Sequence, residues 1–278
     1  GVEVMSMVPI GAAVTDGYNA GHGLPFDSDG MKERYPGVFF SQFTGAELVA
    51  DKWNLSREDL DEFALESHQK AANATESKYF DREILPVEGK NAEGINELVL
   101  ADEGIRFDAS LDKLAGLKPV TDGGVITAGN ASQITDGAAA VMICNDAGLK
   151  KIQSNPRAEI VSISVVGDDP VFMLTGPIPA SKKALEAAGL SIDDMDLYEV
   201  NEAFAPVPLA WAHDLEADKS KLNVNGGAMA LGHPLGATGA KLMTTMLHEL
   251  ERRNGNYALQ AICEGGGTAN ATIIKRLS

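Results

Sequence analysis

The sequence predicts an α/β layered fold, and two observations carry that prediction. Beyond about residue 155, strand-like and helix-like patterns alternate along the chain, the ordering of a sheet covered by helices. The 278 residues are 44% hydrophobic and 23% charged, the composition of a folded globular protein rather than a disordered chain.

The opening third is the least regular. Residues 10–40 are rich in Gly, Asp, Pro and aromatics without a clear period, which predicts a long loop excursion. A helix is expected over 44–53. A second starts at the capping box Ser56-Arg57-Glu58-Asp59, followed by Leu60, Phe63, Ala64 and Leu65 at helical spacing. It should run to about residue 77 and carry His68. Charged and apolar residues alternate over short stretches of 91–118, which suggests small strands and turns. The apolar run 138–144 predicts a buried strand or a helix end. Residues 158–166 alternate as a strand does, and a helix over 181–188 should close on Gly189. Leu197-Tyr198-Glu199-Val200 reads as a strand that feeds Asn201-Glu202-Ala203-Phe204-Ala205 at a helix start. A helix over 238–253 and strands over 258–263 and 271–276 complete the chain. The polar stretch 152–157 is the expected boundary between two halves.

Charge excludes several functions. Against 40 acidic residues stand 23 Lys+Arg, a formal net charge of -17, so a broad nucleic-acid or anionic-membrane surface is disfavoured. No apolar run of about 18 residues is present, which removes a transmembrane helix. Two cysteines, Cys144 and Cys263, make no disulfide framework and point to a reducing, cytoplasmic setting.

Chemistry concentrates in three places. The stretch 223–240 is glycine-dense and holds Gly232-His233-Pro234, a histidine whose backbone is restrained on both sides; it is neither a Walker loop nor a dinucleotide fingerprint. Cys263-Glu264-Gly265-Gly266-Gly267 places a thiol at a strand end, uncovered by three glycines that also offer N–H donors for an oxyanion. Such a thiol acts as acid or base near neutrality if its surroundings lower its pKa. The third place is Asn201-Glu202, which could also simply cap a helix. Cys144 reads as a buried small hydrophobe. His22, His68, His213 and His248 read as surface or structural, and no metal-ligand spacing is evident.

Together, and in this order, the motifs resemble the thiolase family. Asn201-Glu202-Ala203-Phe204, Gly232-His233-Pro234 and Cys263-Glu264-Gly265-Gly266 resemble its downstream active-site motifs. Thr127-Ala128-Gly129-Asn130-Ala131-Ser132 resembles its pantetheine-contacting segment, and Gly176-Pro177-Ile178-Pro179-Ala180 is similar too. The resemblance implies a five-layer α/β/α/β/α fold with an inserted loop domain and an incomplete first half. Residues 1–134 would then be a remnant of the N-terminal half plus the loop domain that binds coenzyme A. Residues 135–154 would end that half, and 155–278 would form the C-terminal domain.

The same resemblance implies roles. His233 would activate a nucleophilic cysteine and donate to the thioester oxygen. Cys263 would exchange a proton with the α-carbon during Claisen condensation or its reverse. Asn201 would hold a water in one oxyanion hole, and the N–H of Gly265 would serve a second. Arg106 would lie near the nucleotide end of coenzyme A, while Leu117, Ala131, Ser132 and Phe204 would line its path. Coenzyme A is then substrate, with no permanent cofactor. Family members associate as dimers or dimers of dimers, which implies a homodimer or homotetramer.

The resemblance also implies a nucleophilic cysteine on an upstream turn. The opening Gly1-Val2-Glu3-Val4-Met5-Ser6 resembles the strand after that turn. The chain alone is therefore expected to be inactive, the nucleophile coming from a complementing N-terminal fragment or having been lost by truncation or cleavage. Short-chain biosynthetic thiolases carry a His-Met pair near Phe40-Ser41-Gln42-Phe43. Its absence here predicts a longer or bulkier 3-oxoacyl substrate. The rival reading is a catalytically silent protein that keeps the fold and binds acyl-CoA or serves assembly.

Overall fold

The computed structural model describes residues 1–90 and 93–277. Its centre is a four-stranded sheet built from β5 (Ala158–Gly167), β6 (Leu197–Val200), β7 (Tyr257–Glu264) and β8 (Thr268–Arg276), in the order β5-β8-β7-β6. β8 runs antiparallel to both β5 and β7, whereas β6 is parallel to β7. The sheet has a helix on each face. α7 (Pro177–Ala188) packs on β5 and β8, and α10 (Leu235–Arg253) packs on β7 and β6.

Alternation sorts the side chains. Tyr198, Val200, Leu259, Ala261 and Cys263 join the large core that includes α8 (Pro206–Asp214). Leu197 and Ala258, on the other face, meet Met246 and Leu250 of α10. α7 starts four residues earlier than expected, because Pro177 sits in its first turn, where its missing N–H costs nothing. It closes on Gly189 at φ 66. α10 likewise starts at Leu235, after Pro234.

Among the upstream elements, α3 (Gln42–Lys52) and α4 (Arg57–Glu76) stand where the sequence places them. The Ser56–Asp59 capping box is fully formed. Leu60, Phe63, Ala64, Ser67, Ala71 and Ala74 form the buried stripe of α4, recurring at the helical period.

The structure corrects three expectations here. Residues 10–40 contain two short helices, α1 (Ala12–Asn19) and α2 (Asp29–Arg34), neither of which buries a residue. A hairpin of β2 (Val87–Lys90) and β3 (Asn96–Val99) begins ahead of the expected 91–118 segment, which also holds α5 (Leu111–Ala115). Asn91 itself lies outside the described residues. The run 138–144 is exposed, not buried: its pairing is Gly137–Ala138 (β4) with β1 (Val2–Glu3) and Ala139 with Gly1, while Met142 is 79% and Ile143 71% exposed. Apolar residues bury only against neighbours, and a two-residue ladder supplies too few. Cys144, read as a buried hydrophobe, is exposed for the same reason. α6 (Asp146–Ile152) leads from there to β5.

Candidate active site

The site is assembled by loops beyond the carboxyl ends of β6 and β7, where parallel α/β strands deliver functional groups. The N–H of Asn201, immediately after β6, donates to the carbonyl of Ala261 in β7 at 3.0 Å. Cys263 stands two residues further along β7, so Asn201 and Cys263 sit within roughly 7 Å along adjacent strands.

His233 arrives from the turn between α9 (Ala228–Leu231) and α10. Its Nε2 lies 3.2 Å from Asn201 Nδ2, and its Nδ1 lies 2.7 Å from Thr238 Oγ1. The glycine before it is required twice over. Gly232 has φ 83, and a Cβ there would meet the Thr135 hydroxyl oxygen at 2.2 Å. Burial, helped by the nearby positive charge of Lys241, pushes the imidazole pKa down to about 4.

The segment 127–133 closes one side. Ser132 N–H donates to Ala203 O, Ala205 N–H to Asn130 O, and His233 N–H to Gln133 O. Ala131 forms a bridge with Phe204. Below it, Asn130 Nδ2 donates to Asp61 of α4 at 2.9 Å, and Asp61 also pairs with Arg57 at 2.7 Å. Leu117 is held close, since a Cβ on Gly129 would meet its Cδ1 at 2.6 Å. The structure thus brings Asn201, His233, Ala131, Ser132, Phe204 and Leu117 into one neighbourhood, and Cys263 stands at the carboxyl end of β7, the strand next to β6. Arg106 is more remote. It lines a separate cavity of about 200 Å³ with His68, Asn73 and Phe107, and its N–H donates to His68 Nδ1.

Two expectations about these motifs are corrected. Cys263 is not uncovered: it is 7% exposed and belongs to the large core. Burial pushes its thiol pKa up to about 12, opposite to the lowering that acid–base work near neutrality would need. The three glycines instead make the tight turn between β7 and β8, with Gly265 exposed and Gly266 at φ 77. Cys263 is therefore a protonated thiol at neutral pH, holding its proton more tightly than a solvated thiol does. The expected chemical result is that iodoacetamide at pH 8 labels Cys144 and leaves Cys263 unmodified until the chain is denatured. Peptide mass mapping reads this directly, and equal labelling of both would refute the buried placement.

Nor do Asn201 and Glu202 cap α8, whose N-cap is Ala205. Glu202 is buried and accepts from Ser67 Oγ at 2.7 Å, Asn223 Nδ2 at 2.9 Å and Met229 N–H at 3.1 Å. Sequence reasoning missed this hub, and it missed Thr238. A threonine in the first turn after the histidine motif was the available signal. The remaining histidines fit structural roles: His68 is buried, and His248 Nδ1 lies 2.9 Å from Thr244 O.

Residues 1–147 match the thiolase N-terminal domain and residues 154–276 the thiolase C-terminal domain. The chain belongs to the thiolase family. It is 52% identical over 278 residues to the steroid 3-ketoacyl-CoA thiolase FadA6 of Mycobacterium tuberculosis, covering 100% of this chain and 67% of that protein. It is 44% identical over 281 residues to the acetyl-CoA acetyltransferase of Shinella zoogloeoides, covering 100% and 71%. Among solved structures, human mitochondrial 3-ketoacyl-CoA thiolase superposes with TM-score 0.82 at 46% identity, covering 84% of this chain and 59% of that one. The same enzyme in complex with CoA gives 0.81, covering 84% and 58%. This chain thus spans less than two thirds of those solved thiolases. Thiolases are acyltransferases, and the α/β fold seen here is theirs. No helix among the described residues is long and apolar enough to cross a membrane.

Proposed function

We propose that this thiolase chain carries the acid–base half of an active site that cleaves 3-oxoacyl-CoA into acetyl-CoA and a shortened acyl-CoA, or runs the reverse condensation. One observation supports this above the others: Asn201 Nδ2 against His233 Nε2, 3.2 Å apart, under the clamped segment 127–133. In this reading the thioester oxygen sits against a water held by Asn201 and against His233 Nε2, which becomes a donor once it has taken the nucleophile's proton; each such donor is worth about 10²–10³ in rate. Cys263, a neutral thiol, protonates the enolate carbon formed when the carbon–carbon bond breaks. The coenzyme A thioester runs past Ser132, Ala131 and Leu117, with Arg106 toward its nucleotide.

The chain has two cysteines; Cys263 is the acid in this scheme, and the exposed Cys144 is assigned no role. In this reading the attacking sulfur comes from a segment outside these 278 residues, such as a complementing N-terminal fragment, since a second copy of the same chain brings no further cysteine; the assembled protein is a homodimer or homotetramer. Thiolysis should be absent with the chain alone and appear once a segment bearing the upstream cysteine is supplied. Coenzyme A binding without activity in either case would favour the second reading, a silent acyl-CoA-binding or assembly protein, for which the cysteine count speaks.

The acyl group is proposed to be bulky. A cavity of about 300 Å³ is lined by Phe26, Met31, Tyr35, Phe39 and Phe40 together with the charged Asp27 and Lys32. Phe26 meets Phe40 at a tilt at 4.8 Å, Tyr35 meets it edge-on at 5.4 Å, and Phe43 meets Phe204 edge-on at 5.5 Å, leading aromatic surface from the cavity toward the site. The name of the Mycobacterium relative, a steroid 3-ketoacyl-CoA thiolase, agrees. Each extra methylene of the acyl group that these aromatic side chains cover is worth roughly tenfold or more in kcat/KM. The assembled enzyme should turn over a cyclic or long-chain 3-oxoacyl-CoA faster than acetoacetyl-CoA, and the opposite order would remove this assignment.

A further inference from the structure

We infer that Thr238 is the residue that sets the tautomer of His233, holding the proton on Nδ1 and leaving Nε2 as the basic nitrogen. This rests on the proposed role of His233 for its consequence, but the geometry stands without it. Thr238 Oγ1 lies 2.9 Å from Pro234 O and 2.7 Å from His233 Nδ1. A hydroxyl 2.9 Å from a carbonyl oxygen is stabilised by donating to it and repelled otherwise, so the single hydroxyl proton of Thr238 points at Pro234 O. Toward His233 the hydroxyl then has only lone pairs to offer. Nδ1 must be the donor, and Nδ1–H···Oγ1 is the resulting bond.

The other nitrogen follows. In the neutral imidazole, Nε2 carries no proton, and the group it faces at 3.2 Å must donate; Asn201 Nδ2 does so. The alternative assignment, with Thr238 donating to Nδ1, leaves two bare oxygens 2.9 Å apart at Pro234. Two features fix Thr238 in place. It is 2% exposed, and it lies in the first turn of α10, where its bond to the carbonyl four residues back orients the side chain. A thiol that takes the place of the Asn201 amide at Nε2 therefore meets a lone pair. Once that thiol has given up its proton, the same nitrogen becomes an N–H directed at the thioester oxygen. One imidazole can serve both steps only in this tautomer.

The test uses the full chain, uniformly ¹⁵N-labelled, and long-range ¹H–¹⁵N correlations of the imidazole rings at pH 7. The His233 signals are those missing from His233→Gln. In the parent protein His233 should show the Nδ1–H pattern. Thr238→Val, which keeps the shape and removes the hydroxyl, should lose it in favour of Nε2–H or a mixture, and Thr238→Ser should restore it. In the assembled enzyme kcat should fall about 10- to 100-fold in the valine variant with KM little changed, and recover in the serine variant. An Nε2–H pattern in the parent protein overturns the inference, even if the valine variant does not fold. So does an unchanged Nδ1–H pattern in Thr238→Val. If the tautomer shifts as stated while no thiolysis is ever seen, the inference stands and the proposed function falls.

Discussion

His233→Gln is expected to lower thiolysis by the assembled enzyme about 10²–10⁴-fold, the usual worth of a positioned general acid–base. Glutamine keeps a polar group of similar reach, so coenzyme A binding should survive and the loss should fall on kcat. The pH dependence is distinctive. Burial first, and Lys241 second, push the His233 pKa from 6.5 to about 4. The imidazole is thus neutral through the whole physiological range, and its titration should not appear in the rate near pH 6.5. It should appear in stability instead. The unfolded chain takes up a proton at 6.5 and the folded chain only at about 4, so the unfolded state is favoured as pH falls through that window. Denaturant unfolding at pH 7 and pH 4.5 should show a stability loss in the parent protein that is smaller in His233→Gln. Equal losses would mean that His233 is not buried as a neutral base.

Much of the fold could be read from local signals. The Ser56–Asp59 box fixes the start of α4, and the four residues of β6 fall where alternation and apolarity place them. These are features in which neighbours along the chain supply the partners. What could not be read depends on neighbours far along the chain. Cys263 looked accessible because three glycines follow it, yet the chain folds β8 back against β7, pairing Cys263 with Ala269, and packs the thiol face into the large core. The run 138–144 looked buried because it is apolar, but its surroundings decide burial, and here they are sparse. At the site the residue types were legible while their partnerships were not. His233 and Asn201 were found as separate motifs, and only the structure joins them. Thr238 escaped notice because its role depends on which of its two oxygen and nitrogen neighbours receives its single proton.

Glu202 is the clearest case, and it sets the largest stability effect expected for a single side chain. It reads as a helix cap from sequence, but its carboxylate lies 1% exposed at the start of α9, far from water. Ser67 relays between elements by accepting from Gly227 N–H at 3.0 Å while donating to Glu202 Oε2. Asn223 and the Met229 N–H complete the set, and a Cβ on Gly227 would clash with the carboxylate at 2.2–2.6 Å. Glu202→Ala leaves three donors unsatisfied together with a cavity, at a cost of about 3–5 kcal/mol in urea unfolding. Glu202→Gln keeps the shape but turns an amide N–H₂ toward at least one donor, and should cost about 1–2 kcal/mol. A loss below about 1 kcal/mol for alanine would show that the donors find water instead. The damage should also reach the chemistry. Glu202 anchors α9, whose end at Leu231 leads through Gly232 to His233, so a loosened α9 no longer holds the imidazole against Asn201. Glu202→Gln should therefore lower kcat even at temperatures where the variant remains fully folded, although Glu202 touches neither substrate nor His233.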